Sequence, residues 1–370
     1  MQHFVLKLGT RVVSDASGKL EEQRLGALVK SCALLWKQKK RFAIVSSGAI
    51  GLGQQMLKLK GSLSLSDKQA SAAVGQSLLM RYYTDAFAKY GVHVAQVLVT
   101  AEDFSKRENF ENLKRTLERL FELSVIPILN ENDCVATREI SSDSGKKSFG
   151  DNDALSAIVA SKLGAELLIL LTDVDGVYSE NPQKNSKAKK INKISTLQEI
   201  DEVQTQGKSL KGRGGMQTKL QAAKMASISG CTTVIASGFE KGVLEAIFSD
   251  KQPGTWVLPS TKLNLKKHWI GAVSGFKGVL ILNEGAATAL LAKHASLLAV
   301  GIVSLKGNFQ AGDVVSIQNE RGDELGRGLS FYSSADVLKM QGKRSADLKK
   351  SMGAEYSREI VHRDNLVLFL

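Results

Sequence analysis

The sequence predicts an α/β protein with a mainly parallel sheet, followed by a small β-rich domain. Three observations carry that expectation. Short apolar runs alternate with stretches of helical period over the first 258 residues. Several of those runs end in small or polar residues, at the place where open α/β sheets bind ligands. Toward the C-terminus, glycines at 271, 275, 278, 285, 301, 307, 312, 322, 326 and 328 punctuate short β-branched runs.

Length and composition narrow the class. A chain of 370 residues has room for two domains with a substantial core, and its 43% hydrophobic content and four prolines suit a soluble globular protein. The longest apolar run, around residues 165–171, falls far short of the roughly 20 residues a membrane span needs. The opening Met-Gln-His-Phe-Val-Leu-Lys-Leu-Gly lacks the basic and long apolar regions of a secretory leader, so a cytoplasmic location is expected. Cys32, Cys134 and Cys231 are odd in number and far apart, as reduced packing residues are. The net charge of +13 suits a nucleic acid, an anionic substrate or simple solubility. Its excess is spread along the chain: residues 261–370 hold 15 Lys and Arg against 10 Asp and Glu. A dedicated nucleic-acid module would concentrate it.

Residues 4–8, Phe-Val-Leu-Lys-Leu, read as a strand ended by Gly9-Thr10. Its Lys7 either lies at a half-exposed edge or points from the strand's carboxyl end into a site. A helix over 20–38 and a strand from Arg41 follow, the latter running into Ser46-Ser-Gly-Ala-Ile-Gly-Leu-Gly53. That turn is not a dinucleotide fingerprint, but it offers the Ser47 hydroxyl and N–H groups at Gly48 to a carboxylate or phosphate. Ser66-Asp-Lys-Gln69 reads as a capping box opening a structural helix through Ala88, with Tyr82, Tyr83 and Phe87 as core or subunit contacts.

A strand over 94–100 and a helix over 112–123 precede Val125-Ile-Pro-Ile-Leu129, a strand that ends in Asn130-Glu-Asn-Asp133. Four polar side chains there are either a plain loop or a site for an ammonium or hydroxyl. The Ser- and Lys-rich tract 138–149 reads as a mobile loop delivering Gly150-Asp-Asn-Asp153 to a helix over 154–163. Capping explains part of that motif, and pairing of Asp153 with lysines around a phosphate explains the rest. Strand 167–171 ends in Thr172-Asp-Val-Asp-Gly-Val-Tyr178, and residues 183–190 read as a solvated loop. Lys211-Gly-Arg-Gly-Gly-Met-Gln-Thr-Lys219 then enters an Ala-rich helix. It reads as a phosphate cradle or as a glycine-rich surface loop, since its spacing is not GxxxxGK[ST]. Residues 233–238 make a last strand and turn.

Together these motifs resemble the amino-acid kinase family, and within it the branch that phosphorylates glutamate. Lys7-Leu-Gly-Thr, Ser46-Ser-Gly-Ala, Ile128-Leu-Asn-Glu-Asn-Asp133, Phe149-Gly-Asp-Asn-Asp153, Leu171-Thr-Asp-Val-Asp-Gly-Val-Tyr178 and Gly214-Gly-Met-Gln-Thr-Lys-Leu220 stand in the family's order. The resemblance implies a three-layer sandwich over 1–258, a linker over 259–275 and, over 276–370, a PUA-like domain with a C-terminal tail. Phe309-Gln-Ala-Gly-Asp-Val-Val-Ser-Ile, Gly326-Arg-Gly-Leu-Ser and His362-Arg-Asp-Asn-Leu-Val carry the second part. Arg213 stands where the family's glycine-rich run has a threonine, and the tract 141–148 is longer than usual.

The function implied is ATP-dependent phosphorylation of the L-glutamate side-chain carboxylate, the first step of proline biosynthesis. A carboxylate acceptor is ionised at neutral pH and needs no general base. His3, His93, His268, His294 and His362 accordingly belong to no motif. By resemblance, Lys7 and Lys219 neutralise the phosphates and Asp153 holds them. Gly9, Thr172, Asp173, Arg213, Gly214, Gly215, Met216, Gln217 and Thr218 face ATP, while Ser47, Gly48, Asn130, Asp133, Asp151 and Asn152 hold the amino acid. Magnesium would arrive with ATP, with no protein metal site. A homo-oligomer of two or four subunits, feedback inhibition by proline and no membrane partner are also implied. The alternatives are a kinase for another acid, such as N-acetylglutamate or aspartate, and an RNA-binding protein acting through the PUA-like domain. The Asn-Glu-Asn-Asp motif, the spread of charge and the lack of an aromatic RNP-like motif argue against them.

Overall fold

The computed structural model describes residues 3–369 apart from 16, 106, 136–151, 181, 183, 184, 186, 207–214, 250, 261–275 and 294. The chain divides into two compact units, residues 1–260 and 261–370.

The first unit opens with β1 (His3–Leu8), a helical turn α1 (Thr10–Val13) and α2 (Glu22–Lys37). β2 (Arg41–Ser46), α3 (Ala49–Met56) and α4 (Leu65–Ala88) follow. Next come β3 (His93–Val99), α5 (Ala101–Ser105), α6 (Arg107–Glu122) and β4 (Val125–Glu131). After α7 (Asn152–Leu163) and β5 (Leu167–Thr172), three two-residue strands occur: β6 (Val177–Tyr178), β7 (Lys190–Ile191) and β8 (Lys193–Ile194). The unit closes with α8 (Leu197–Gln206), α9 (Met216–Ile228), β9 (Thr232–Ser237), α10 (Val243–Ile247) and β10 (Thr255–Val257).

Eight strands form one sheet in the order β3-β4-β2-β1-β5-β9-β10-β8, parallel from β3 to β9, with β10 running antiparallel to β9. β1, β2, β5 and β9 are almost wholly buried, which explains their continuous apolar runs. Lys7 therefore lies in a central strand, and the edge reading does not hold. The register sets Leu8 level with Ser46 and Leu171, and Val45 level with Leu129. Lys7, Ser47, Asn130 and Thr172 consequently reach the same end of the sheet.

α7 packs across β1, β2, β4 and β5, with α9 beside it, while α2, α3, α4 and α10 form a second helical layer. The capping box expected at Ser66 lies two residues earlier. Ser64 accepts from the backbone N–H of Asp67, and the Asp67 carboxylate accepts from the N–H of Ser64. Asp67 can thus take the place of the Glu or Gln usual at the third position. Tyr83 and Phe87 are buried core, and the Tyr82 hydroxyl donates to the carbonyl of Glu22. α3 and α4 meet through glycines: a Cβ on Gly53 would overlap the carbonyl of Ser71, and one on Gly75 that of Ala49.

In the second unit, β11 (Gly278–Leu282), β12 (Ile302–Gly307), β13 (Val314–Asn319), β14 (Glu324–Leu329) and β15 (Leu366–Leu368) form a sheet in the order β12-β11-β13-β14-β15. α11 (Glu284–Lys293), α12 (Ser334–Met340) and α13 (Ser345–Met352) accompany it. Glycine punctuation signals the strands but not these helices. Leu280, Ile317, Val337, Met340, Ile360 and Leu366 belong to a core of its own.

Two predictions follow from packing. Gly75→Ala must push two helices apart and is expected to cost about 1–3 kcal/mol or more, read from urea unfolding. Lys162, buried on α7 with its ammonium 4.0 Å from the centre of the Phe110 ring, is pushed down to about 7 by burial, against the pull of Glu111. Because its folded pKa lies below its unfolded one, the folded state gives up this proton first. Its destabilising effect is full below pH 7 and fades as pH rises toward 10. Lys162→Met is expected to stabilise the fold at pH 6 by about 1 kcal/mol or more, with the advantage shrinking by pH 10.

Candidate active site

The site begins with a charge that has no local reason to be buried. Lys7 is 3% exposed, and its Nζ lies 2.7 Å from Oδ1 of Asp153, which is 0% exposed in the first turn of α7. Lys219, in the first turn of α9, places its Nζ 3.2 Å from Oδ2 of the same carboxylate. Thr218 donates its hydroxyl to that oxygen at 2.7 Å. Burial pushes the Asp153 carboxyl up, but the ammonium groups of Lys7 and Lys219 and the hydrogen bonds of Lys7 and Thr218 outweigh it and hold it at about 2. Among the described residues, the triad of two lysines and one aspartate thus carries a surplus of one positive charge in a buried place. A second anion would balance it.

Helix starts surround this cluster. α3 begins at Gly48, whose φ of +106° a side chain would strain, and α9 begins at Gly215. Free N–H groups and the positive ends of helix dipoles at α3, α7 and α9 add to the field that favours anions.

Beside the charges stands a row of neutral polar groups. Asn152 donates from Nδ2 to the carbonyl of Ser46 at 3.1 Å, to the Ser47 hydroxyl at 2.9 Å and to Oδ1 of Asn130 at 2.9 Å. Asn130, 3% exposed, receives the backbone N–H of Glu131 on that oxygen and donates to Oε1 of Gln76 at 2.9 Å. Two strand ends and the start of α7 are tied together by one asparagine.

The structure brings together Lys7, Lys219, Asp153 and Thr218 in one group and Ser47, Asn130 and Asn152 in the adjoining one. Gly9, two residues after Lys7, donates its N–H to the carbonyl of Leu171 at 3.0 Å. Thr172 is buried at the end of β5 and donates to the exposed Asp173, while Gln217 is exposed in the first turn of α9 and Met216 half-buried there. Asp133 lies half-buried in the turn after β4. Asp151, Arg213 and Gly214, and with them the tract 138–149, lie outside the described residues. Gln76 was missed by sequence reasoning, which took its helix as structural. The adjacent Gly75, a poor helix former, was the available signal. A cavity of about 460 Å³, lined by Phe4, Phe248 and Trp256 among others, opens at the other end of the sheet, away from the charged cluster.

A buried, cation-rich cradle at the carboxyl ends of a parallel sheet defines an α/β protein built to hold phosphate-like anions. The chain belongs to the amino acid kinase family, whose model matches residues 2–237, and the PUA domain model matches residues 278–352. Among curated proteins, the glutamate 5-kinase of Dictyoglomus turgidum is 40% identical over 99% of this chain and 97% of its own. That of Trichlorobacter lovleyi is 40% identical over 100% and 97%, and that of Thermus thermophilus 39% over 99% and 97%.

Asp153→Asn would leave two buried lysines sharing no carboxylate, and a loss of about 3–5 kcal/mol is expected in the free protein. Added ATP should restore part of it, read as a larger rise in Tm than wild type shows. The folded pKa of Asp153 lies below its unfolded value of 3.8, so its contribution is present above about pH 4 and lost as pH falls toward 2. The gap in stability between variant and wild type should close over that range.

Proposed function

We propose that this protein transfers the γ-phosphoryl group of ATP to the side-chain carboxylate of L-glutamate, forming L-glutamyl 5-phosphate at the start of proline biosynthesis. The observation that carries the reading is the Lys7–Asp153–Lys219 cluster, with its surplus positive charge, beside the Ser47, Asn130 and Asn152 row. The glutamate 5-kinases similar to this chain along nearly its full length support the choice of acceptor.

Phosphoryl transfer asks little covalent chemistry of a protein. It needs the attacking and leaving oxygens in line and the charge on the equatorial oxygens neutralised. Lys7 and Lys219 supply that charge from opposite sides of Asp153, which keeps both ammonium groups in place and prevents either from swinging to solvent. Thr218 holds the carboxylate from below the cradle, and Gly9 and Gly215 let the backbone approach the nucleotide. No histidine is required, because the acceptor carboxylate attacks as it stands. Ser47, Asn130 and Asn152 hold the amino acid, with the Asp133 carboxylate suited to its ammonium group.

Among the described residues no three His, Cys, Asp or Glu side chains gather as a metal site, and both oxygens of Asp153 face ammonium groups. This donor set suits magnesium carried on the nucleotide's phosphates, where it adds positive charge to the transferring group.

The test is ADP release with Mg-ATP and L-glutamate, N-acetylglutamate or L-aspartate, with hydroxylamine to trap an acyl phosphate. Turnover is expected with L-glutamate, and Lys219→Ala or Lys7→Ala should lower kcat by about 100-fold or more. Turnover with another acid alone would overturn the substrate, and none at all would overturn the reaction.

A further inference from the structure

Gln76 lies on α4, 54 residues from the asparagine it touches, and is 7% exposed. Its Oε1 accepts from Asn130, whereas its Nε2 is buried with no hydrogen-bond partner among the described residues. An unmet buried N–H costs stability, about 1–3 kcal/mol. A glutamine is therefore a poor choice for packing alone at this position, and its oxygen is the part with a task.

That task follows from the direction of the hydrogen bonds. The backbone N–H of Glu131 can only donate, so the Asn130 atom it meets at 2.9 Å is the oxygen. Asn130 therefore turns its Nδ2 toward Gln76, and Oε1 of Gln76 receives it. The carbonyl of Ser46 can only accept, so the Asn152 atom facing it is Nδ2. That nitrogen has two hydrogens for three acceptors, so Ser47 Oγ at 2.9 Å shares one of them and takes the accepting role in this contact. The Ser47 hydrogen is thereby released from this contact, and no acceptor for it occurs among the described residues. Gly53 and Gly75 allow the close helix contact that sets Gln76 at this depth.

We infer that Gln76 is a positioning residue for acceptor recognition. The backbone groups of Glu131 and Ser46 set the polarity of a relay through Asn130 and Asn152 that leaves the Ser47 hydroxyl as a donor for a carboxylate oxygen of the bound amino acid, and Gln76 holds the Asn130 end of that relay in place. The inference rests on the proposed use of an acidic amino acid as acceptor. Gln76→Met keeps the length of the side chain and removes the acceptor, so that the Asn130 amide loses the partner of its Nδ2 and is held at that end by nothing from α4.

The experiment measures KM for the amino acid that wild type turns over, KM for ATP, and amino-acid Kd by calorimetry, in Gln76→Met, Ser47→Ala and the double variant. Gln76→Met is expected to raise amino-acid KM and Kd about tenfold, the effect of one misdirected hydrogen bond, with KM for ATP within about twofold. Its Tm should stay close to that of wild type, since one unmet buried donor replaces another. In the Ser47→Ala background the same change should add little, because the two act through one contact. Unchanged amino-acid KM, equal rises for both substrates, or effects that multiply in the double variant would overturn the relay. Failure of the glutamate assignment would show separately, in wild type as turnover with a different acid. No amino-acid binding by wild type would overturn both.

Discussion

One carboxylate shared by two lysines governs this protein. Asp153 is fully buried and stays ionised because Lys7 and Lys219 stand on its two oxygens and Thr218 donates to one of them. The lysines in turn keep their charge in a buried place beside it. Neither half is tolerable alone, since an isolated buried charge costs several kcal/mol. Among the described residues the triad is one negative charge short of neutral, and in the proposed reaction a transferring phosphoryl group supplies it. Stability and substrate binding thus draw on the same electrostatic imbalance.

The first turn of α7 joins the two halves of the site. Asn152 ties it to β2 and β4 through Ser46, Ser47 and Asn130, and Asp153 ties it to β1 and α9. In the proposed reaction, adjacent residues on one helical turn serve opposite needs: a neutral amide that orders donors and acceptors for an amino acid, and a carboxylate that sets cations for phosphates. The spacing of the two proposed subsites is then set at a single helix start. Reaction in line needs a fixed spacing of this kind.

The parallel sheet supplies the level floor on which this happens. Its register brings Leu8, Ser46 and Leu171 into line, with Asn130 one residue past the Val45–Leu129 pair. Every side chain that the site requires from a strand leaves from the last one or two positions or just beyond. On the helical side, Gly53 and Gly75 do comparable work by letting two backbones touch, which admits Gln76 to the polar row.

Much of this was legible beforehand. The buried strands announced themselves as continuous apolar runs, and the motifs at their carboxyl ends named Lys7, Ser47, Asn130 and Thr172 before any geometry existed. The polar start of α7 and the glycines before α9 likewise marked Asp153 and Lys219. Local pattern is enough for such features, because periodicity and turn chemistry act over a few residues. The start of the long helix was misplaced because serines at 64 and 66 offer competing caps, and only backbone geometry chooses between them. The helices of the second unit went unread because its glycines dominate the pattern. The sequence by itself determined the layered α/β class and the inventory of charged and polar groups at the strand ends. Tertiary structure alone decided that Lys7 is central, that Asp153 divides its oxygens between two lysines and that Gln76 meets Asn130. Those outcomes depend on strand register and on contacts between residues 54 and 66 positions apart, which no local periodicity encodes.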